Sequence, residues 1–261
     1  MASWISSTRR ALEPAVVVAS WLAVWELLSR SGLLSARDFP PASAVLARLA
    51  GDLQNPNLWR GIGVTLLAWV LGLGIVIVTA IPAGLAIASS RLLSEASHLV
   101  IEFMRTVPGI AALPILIFVY GVGFQLTLML IVLTAFWPLL IQVMAGVKDV
   151  DAVARDTGRV YGLGRVAIFR QIVLPAAAPY VATGIRLSAT VALVMAVAAS
   201  LIAGGDGLGA LIGTAAESAQ VTLMYARIAV AGLLGLVLSG ACAALERKVL
   251  HWHVSQRRAW P

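Results

Sequence analysis

Apolar residues form long runs along this chain, and polar residues are largely confined to the segments between them. A helix needs about 20 apolar residues to cross a bilayer. Run lengths and helix breakers delimit six candidate spans, at residues 14–28, 61–89, 99–120, 126–145, 176–203 and 225–245. The pattern predicts an all-α, polytopic membrane protein with six transmembrane helices. We expect one transmembrane domain over residues 1–261.

Two shorter elements are predicted outside these spans. Ser43 follows a Pro-Pro turn and is a candidate cap for an amphipathic helix over residues 44–53. Residues 204–224 begin with a Gly-Gly-Asp-Gly run and then become apolar. That stretch is too short to cross, so it predicts a re-entrant or surface helix.

Composition supports a membrane protein. The chain is 60% hydrophobic and 12% charged, with a mean hydropathy of +0.94, whereas soluble domains carry about 25% charged residues. The net charge of +7 does not require a nucleic-acid partner, because the basic residues are concentrated in particular loops. With the N-terminus inside, twelve Lys and Arg fall in cytoplasmic segments and five in outer ones. This bias predicts that both termini are cytoplasmic.

Enzymatic motifs are missing from the sequence. It has no Gly-x-Ser-x-Gly motif, no paired His or Cys metal ligands, and no Gly-x-x-x-x-Gly-Lys loop to hold phosphates. The lone cysteine, Cys242, lies in an apolar run, as expected of a small buried residue. We therefore expect no cofactor in this chain and a transport or structural role.

The most informative segment lies between the fourth and fifth spans. This polar segment (residues 148–175) carries four arginines and three glycines, two of which stand four residues apart. Asp151 can cap a helix start, and Arg155 lies four residues from both Asp151 and Arg159, so the first pair can attract and the second repel. Gly158 and Gly162 allow close backbone approach or a left-handed corner. Pro175 is expected to end the element.

Charged and polar residues within the spans are candidates for a solute path or gate. Glu102 and Arg105 are three residues apart and can pair on one helix face, and Glu102 with Arg186 is an alternative pair. Either pairing can be structural, and hydroxyl groups in spans often bond neighbouring helices. The path candidates are Glu102, Arg105, Gln142, Arg186, Ser188 and Ser200.

The polar segment resembles the cytoplasmic loop of ABC-importer permeases. Gly162 is followed after nine residues by Ile172, and then by Leu174-Pro175, while Asp156-Thr157-Gly158 stands where that family has Glu-Ala-Ala. Other stretches resemble the nitrate, taurine and aliphatic-sulfonate permeases in particular. They are Trp25-Glu26-Leu27-Leu28, Met104-Arg105-Thr106-Val107-Pro108, Tyr120-Gly121-Val122-Gly123 and Gly184-Ile185-Arg186.

The resemblance implies a type I ABC importer permease. Such a permease works as a pair, which we expect to be a homodimer here, and it assembles with two cytoplasmic ATPase subunits that bind ATP-Mg. It receives solute from an extracytoplasmic binding protein. The residues implied in ATPase coupling are Asp151, Arg155, Asp156, Thr157, Gly158, Arg159, Gly162, Leu174 and Pro175.

Two other classes stay open at this point. A six-span secondary transporter or channel would work without an ATPase, and a structural membrane subunit would carry no solute. The substrate also stays open among sulfonates, taurine, nitrate and a thiamine-precursor pyrimidine. Members of the family often carry a glutamate about where Ser200 stands in this chain.

Overall fold

The computed structural model describes residues 2–32, 35 and 37–249, with side chains from residue 16 onward. All regular structure in this part of the chain is helical, so the predicted all-α class is confirmed. The α-helices are α1 (Ala2–Arg30), α2 (Ala42–Asp52), α3 (Pro56–Ser89), α4 (Arg91–Thr106), α5 (Leu113–Tyr120), α6 (Phe124–Lys148), α7 (Ala152–Val160), α8 (Arg165–Ile168), α9 (Leu174–Ala203), α10 (Leu208–Glu217) and α11 (Val221–Val249). A 3₁₀ turn, Gly109–Ala112, precedes α5, and a π-helical turn, Phe169–Val173, precedes α9.

Four of the predicted spans coincide with long apolar helices. In the described residues, α3, α6, the stretch Arg165–Glu217 that contains α9, and α11 are long and apolar enough to cross a bilayer. A bent pair formed by α4 and α5 makes a fifth candidate. The first predicted span lies within α1, and the total of six stays a prediction.

The third predicted span is broken rather than straight. Helix α4 and the stretch Gly109–Tyr120 meet at 90°. Pro108 has no N–H and disfavours helical geometry in the residue before it, and Val107 accordingly is extended, with φ −72° and ψ 121°. The prediction of one continuous helix over residues 99–120 is therefore wrong at this point.

The chain divides into two compact units, and the larger comprises residues 61–210 and 231–261. Its core is formed by α3, α6 and α9, with Val76, Leu139 and Ala192 fully buried. Small residues bring these helices close together. A Cβ added to Gly84 would lie 2.8 Å from Val143, and one added to Gly184 would lie 2.9 Å from Leu139. Such close approach is the main source of helix association in lipid.

The smaller unit comprises residues 1–60 and 211–230. Its main polar contact is a buried ion pair in which Arg227 Nε lies 3.0 Å from Asp52 Oδ2, with the two side chains 8% and 5% exposed. Arg227 also donates to the Leu211 carbonyl at 2.7 Å. Burial raises the pKa of Asp52, but hydrogen bonds from Arg227 and Asn55 outweigh it and hold the pKa below its ordinary value. This pair joins α2, α10 and α11.

The two short predicted helices are present, with one correction. Helix α10 lies within the predicted outer segment, and α2 overlaps residues 44–53. However, α2 begins at Ala42 after Pro41, and no side chain caps it. Ser43 instead donates from its backbone N–H and its hydroxyl to the Glu26 carboxylate, at 3.0 and 2.8 Å. A carboxylate is the stronger acceptor, so the predicted capping role of Ser43 is wrong.

Candidate functional site

The polar segment begins with a capped helix and ends that helix at a sharp corner. The Asp151 carboxylate accepts from the Val153 N–H at 2.8 Å, as predicted for a cap. At the other end Gly162 has φ +78°, a left-handed conformation. Its N–H donates to the Arg159 carbonyl at 2.9 Å, while the Leu163 N–H donates to the Gly158 carbonyl at 3.0 Å. These two bonds form a Schellman motif, which favours glycine at this position.

Gly158 lies on the inner face of α7. A Cβ at Gly158 would lie 2.8 Å from Ile172 Cδ1 and 3.4 Å from Ile168 Cγ1. Ile168 itself belongs to a buried cluster with Val147, Val173 and Ala177. The missing side chain therefore lets α7 pack tightly against the turns that precede α9.

Helical structure continues from the end of the polar segment into α9. The Leu174 N–H donates to the Phe169 carbonyl, five residues back, which is the π-type bond. Pro175 occupies the first turn of α9. The prediction that Pro175 ends the element is wrong, because the widened turn accommodates both the missing N–H and the bulk of the ring. The polar segment is thus joined to the fifth predicted span without a flexible break.

The outer face of the segment is exposed and partly apolar. Val160 and Tyr161 are 86% and 82% exposed, and Val153 is also exposed. The expected attraction between Asp151 and Arg155 is not formed within the described residues, because the Arg155 guanidinium donates to the Val147 carbonyl. Neighbouring exposed apolar side chains outside the predicted spans form a candidate surface for contact with another protein.

A second feature is a cavity of about 380 Å³ beside the break in the third span. The 90° bend brings Gly109 against α6, where a Cβ would lie 2.1 Å from Thr134 Cγ2. Two of the predicted path residues, Arg105 and Gln142, line this cavity with Thr134 and Trp137. Glu102 forms the predicted pair with Arg105 at 3.4 Å, and both side chains are more than half exposed.

The other path candidates lie elsewhere. Arg186 lies 3.4 Å from Glu246 of α11 rather than from Glu102, so the alternative pair is wrong. Sequence reasoning missed Glu246, although an arginine inside a span calls for an acidic partner. Ser188 is buried and donates to the Ala135 carbonyl at 2.7 Å, and Ser200 is buried and donates to the Ala196 carbonyl at 3.0 Å. Both hydroxyl groups thus donate to helix carbonyls. This is the structural role that the sequence left open beside a role in the solute path.

Solved structures match the fold over most of the chain. The inward-facing MetNI methionine ABC transporter covers 80% of this chain and 98% of its own, at 17% identity and a TM-score of 0.61. An amino acid ABC transporter with histidines covers 77% and 97%, at 17% identity and a TM-score of 0.64. These similarities support the predicted type I importer permease fold.

Curated relatives match almost the full length. The taurine transport system permease protein TauC of Escherichia coli is 31% identical over 90% of this chain and 88% of that protein. The nitrate import permease protein NrtB of Synechocystis is 29% identical, over 92% and 90%. The putative aliphatic sulfonates transport permease protein SsuC of Bacillus subtilis is 30% identical, over 94% and 87%.

A family model decides between the transport classes left open by the sequence. It matches residues 80–251 and describes binding-protein-dependent transport system inner membrane components. This supports a permease of an ABC importer over a secondary transporter or channel, and it confirms a transport role rather than an enzymatic one. The chain belongs to the family of binding-protein-dependent transport system inner membrane components.

Proposed function

We propose that two copies of this chain form the membrane part of an ATP-driven importer. The pair assembles with two cytoplasmic ATPase subunits, which bind ATP-Mg, and receives a small oxyanion from an extracytoplasmic binding protein. Both termini and the polar segment face the cytoplasm, and the chain acts as one transmembrane domain.

The observation that carries this proposal is the way the polar segment is built. Val160 at the end of α7 and Tyr161 directly after it are exposed, while Gly158 lets the inner face of α7 pack against Ile172. The helical connection through Phe169–Val173 then joins this unit to α9. A partner that moves α7 would therefore move α9 with it. This is the property required of a coupling element between an ATPase and a transmembrane helix.

Within this segment the proposed coupling residues have different tasks. Asp151 and Gly162 define the two ends of α7. Asp156 and Arg159 form an exposed ion pair at 2.8 Å that is available to the ATPase. The remaining coupling residues act within the segment and not on the docking surface. The Thr157 carbonyl accepts from the Tyr161 N–H, and Arg155 donates to the Val147 carbonyl. Leu174 and Pro175 form the junction with α9.

The cavity beside α4 supports an anionic substrate. Arg105 supplies positive charge, and Gln142 supplies an amide that can donate to an oxyanion. The relatives named for taurine, nitrate and aliphatic sulfonates suggest the same substrate class. We propose that the solute passes through this cavity, and that the ion pair with Glu102 reduces the positive potential around Arg105. Arg186, Ser188 and Ser200 are then structural.

The test is co-purification of this chain with candidate ATPase subunits of importers of this family, followed by transport in proteoliposomes. Wild-type chain is expected to retain the ATPase and to import solute only with ATP and the binding protein. Val160→Asp places a charge on the docking surface, so ATPase retention should fall well below that of the wild type. Ser218→Asp, at an exposed position in the turn after α10, is the matched control and should retain the ATPase.

Two outcomes would overturn the proposal. If the chain alone imported solute without ATP, it would be a secondary transporter or channel. Equal ATPase retention by wild type and Val160→Asp would show that the polar segment does not dock the ATPase.

A further inference from the structure

A second cavity, of about 440 Å³, lies behind the polar segment. It is lined by three arginines, namely Arg155, Arg159 and Arg165, and by no acidic side chain. The remaining wall includes Ser89 at the end of α3 together with apolar residues such as Phe169. The cavity therefore combines concentrated positive charge with an apolar wall.

The protein supplies ion-pair or hydrogen-bond partners for only part of the three guanidinium groups in this cavity. Arg159 is paired with Asp156. Arg155 gives one donor to the Val147 carbonyl, but its Nε is buried and has no hydrogen-bond partner. Arg165 forms no ion pair with any of the described residues. A buried guanidinium donor without an acceptor is costly, so the cavity is suited to an external anion.

Its position indicates what kind of anion is available there. Ser89 ends the apolar helix α3, and Val147 lies in the last turn of α6. Both helices are membrane-span candidates, so the cavity lies where two candidate spans end, and the proposed cytoplasmic orientation brings that end to the lipid phosphates. Basic pockets between spans at the cytoplasmic surface bind anionic headgroups. The apolar wall formed by Val166 and Phe169 suits the glycerol and first acyl carbons of such a lipid.

We propose that this cavity binds the phosphate of an anionic phospholipid of the cytoplasmic leaflet. Arg155 and Arg165 hold the phosphate oxygens, and the lipid fills the space between α7 and the ends of α3 and α6. The inference rests on the proposed function for its cytoplasmic orientation. It assigns a lipid, as distinct from the ATPase, to the inner face of the polar segment.

The test is titration of the detergent-purified chain, without ATPase, with phosphatidylglycerol, and detection of bound lipid by native mass spectrometry. Each arginine near a lipid headgroup contributes about 1 kcal/mol, which corresponds to about a fivefold change in affinity. Arg155→Gln and Arg165→Gln are each expected to weaken binding about fivefold. Arg170→Gln, an exposed arginine of the same segment outside the cavity lining, should leave binding unchanged.

A second variant keeps the test decisive if Arg155→Gln does not fold. Ser89 is exposed at the cavity wall, and Ser89→Asp places a negative charge there while leaving all three arginines. It should also weaken phosphatidylglycerol binding at least fivefold. Inorganic phosphate is titrated in parallel as a free anion.

The proposal is overturned if phosphatidylglycerol binds Ser89→Asp as well as it binds wild type. It is also overturned if inorganic phosphate alone binds with the same arginine dependence and displaces the lipid, since the cavity would then hold a free anion. Because no ATPase is present, these results are independent of whether the polar segment docks one.

Discussion

The corner at Gly162 offers the sharpest test of how the polar segment works. Gly162 has φ +78° and no atom within 4 Å of a would-be Cβ. A side chain there is opposed by backbone conformation alone, and that conformation costs an L-residue about 1–2 kcal/mol. Gly162→Ala should therefore lower the equilibrium constant for the left-handed corner, relative to other backbone conformations at this position, by about 5- to 30-fold.

Gly164 provides a matched control in the same turn. It also has open space around a would-be Cβ, but its φ of −68° suits any residue. Gly164→Ala is expected to behave as wild type. Gly162→Asn should be intermediate, since asparagine tolerates the left-handed region better than alanine.

The assay is the apparent affinity of the ATPase for chain reconstituted in nanodiscs, measured by titration. Gly162→Ala should weaken it up to about 30-fold. Unchanged affinity for Gly162→Ala, or equal losses for Gly162→Ala and Gly164→Ala, would refute the argument that a left-handed corner positions the docking surface.

Three further predictions concern the rest of the molecule. Asp52→Asn leaves the guanidinium of its partner buried and unpaired, so thermal unfolding in detergent should show a loss of about 3–5 kcal/mol. Because the pKa of Asp52 is lowered from 3.8, wild-type stability from this pair should be constant above pH 5 and fall as the pH drops below 3.8, and Asp52→Asn should lack that acid-dependent part. Gly209→Ala puts a Cβ 2.0 Å from a backbone carbonyl oxygen and should abolish folded yield, whereas Gly232→Ala, with open space, should express normally. Arg105→Gln should lower the transport rate in proteoliposomes while ATPase retention stays at the wild-type level; a parallel loss of both would contradict a path role.

Much of the fold was predictable because membrane spans are a property of local composition. Helices α3, α6, α9 and α11 each contain the whole of the corresponding predicted run. The break at Pro108 was harder to predict. A proline inside an apolar run can lie within a continuous helix, as Pro138 does in α6, or can end the helix. Tertiary contacts such as that between Gly109 and Thr134 decide between these outcomes.

The site was predictable where it depends on backbone geometry. Asp151 and Gly162 have the roles that their residue types predict, a cap and a left-handed corner. Partners distant in the sequence were not predictable in the same way. Glu246 lies sixty residues from Arg186, and no local pattern connects them. In the sequence, the three arginines behind α7 indicate only a basic cytoplasmic loop. The fold places them around one cavity.

The π-helical turn at Phe169–Val173 sets the angular phase between α7 and α9. One residue of an α-helix corresponds to about 100° of rotation, and a π turn contains, in effect, one residue more than the α-helix needs. Removing a single residue from this turn would regularise the helix and turn everything before it by about that angle around the axis of α9. The exposed surface of α7 would then point to a different side of the molecule, with every side chain of that surface still present.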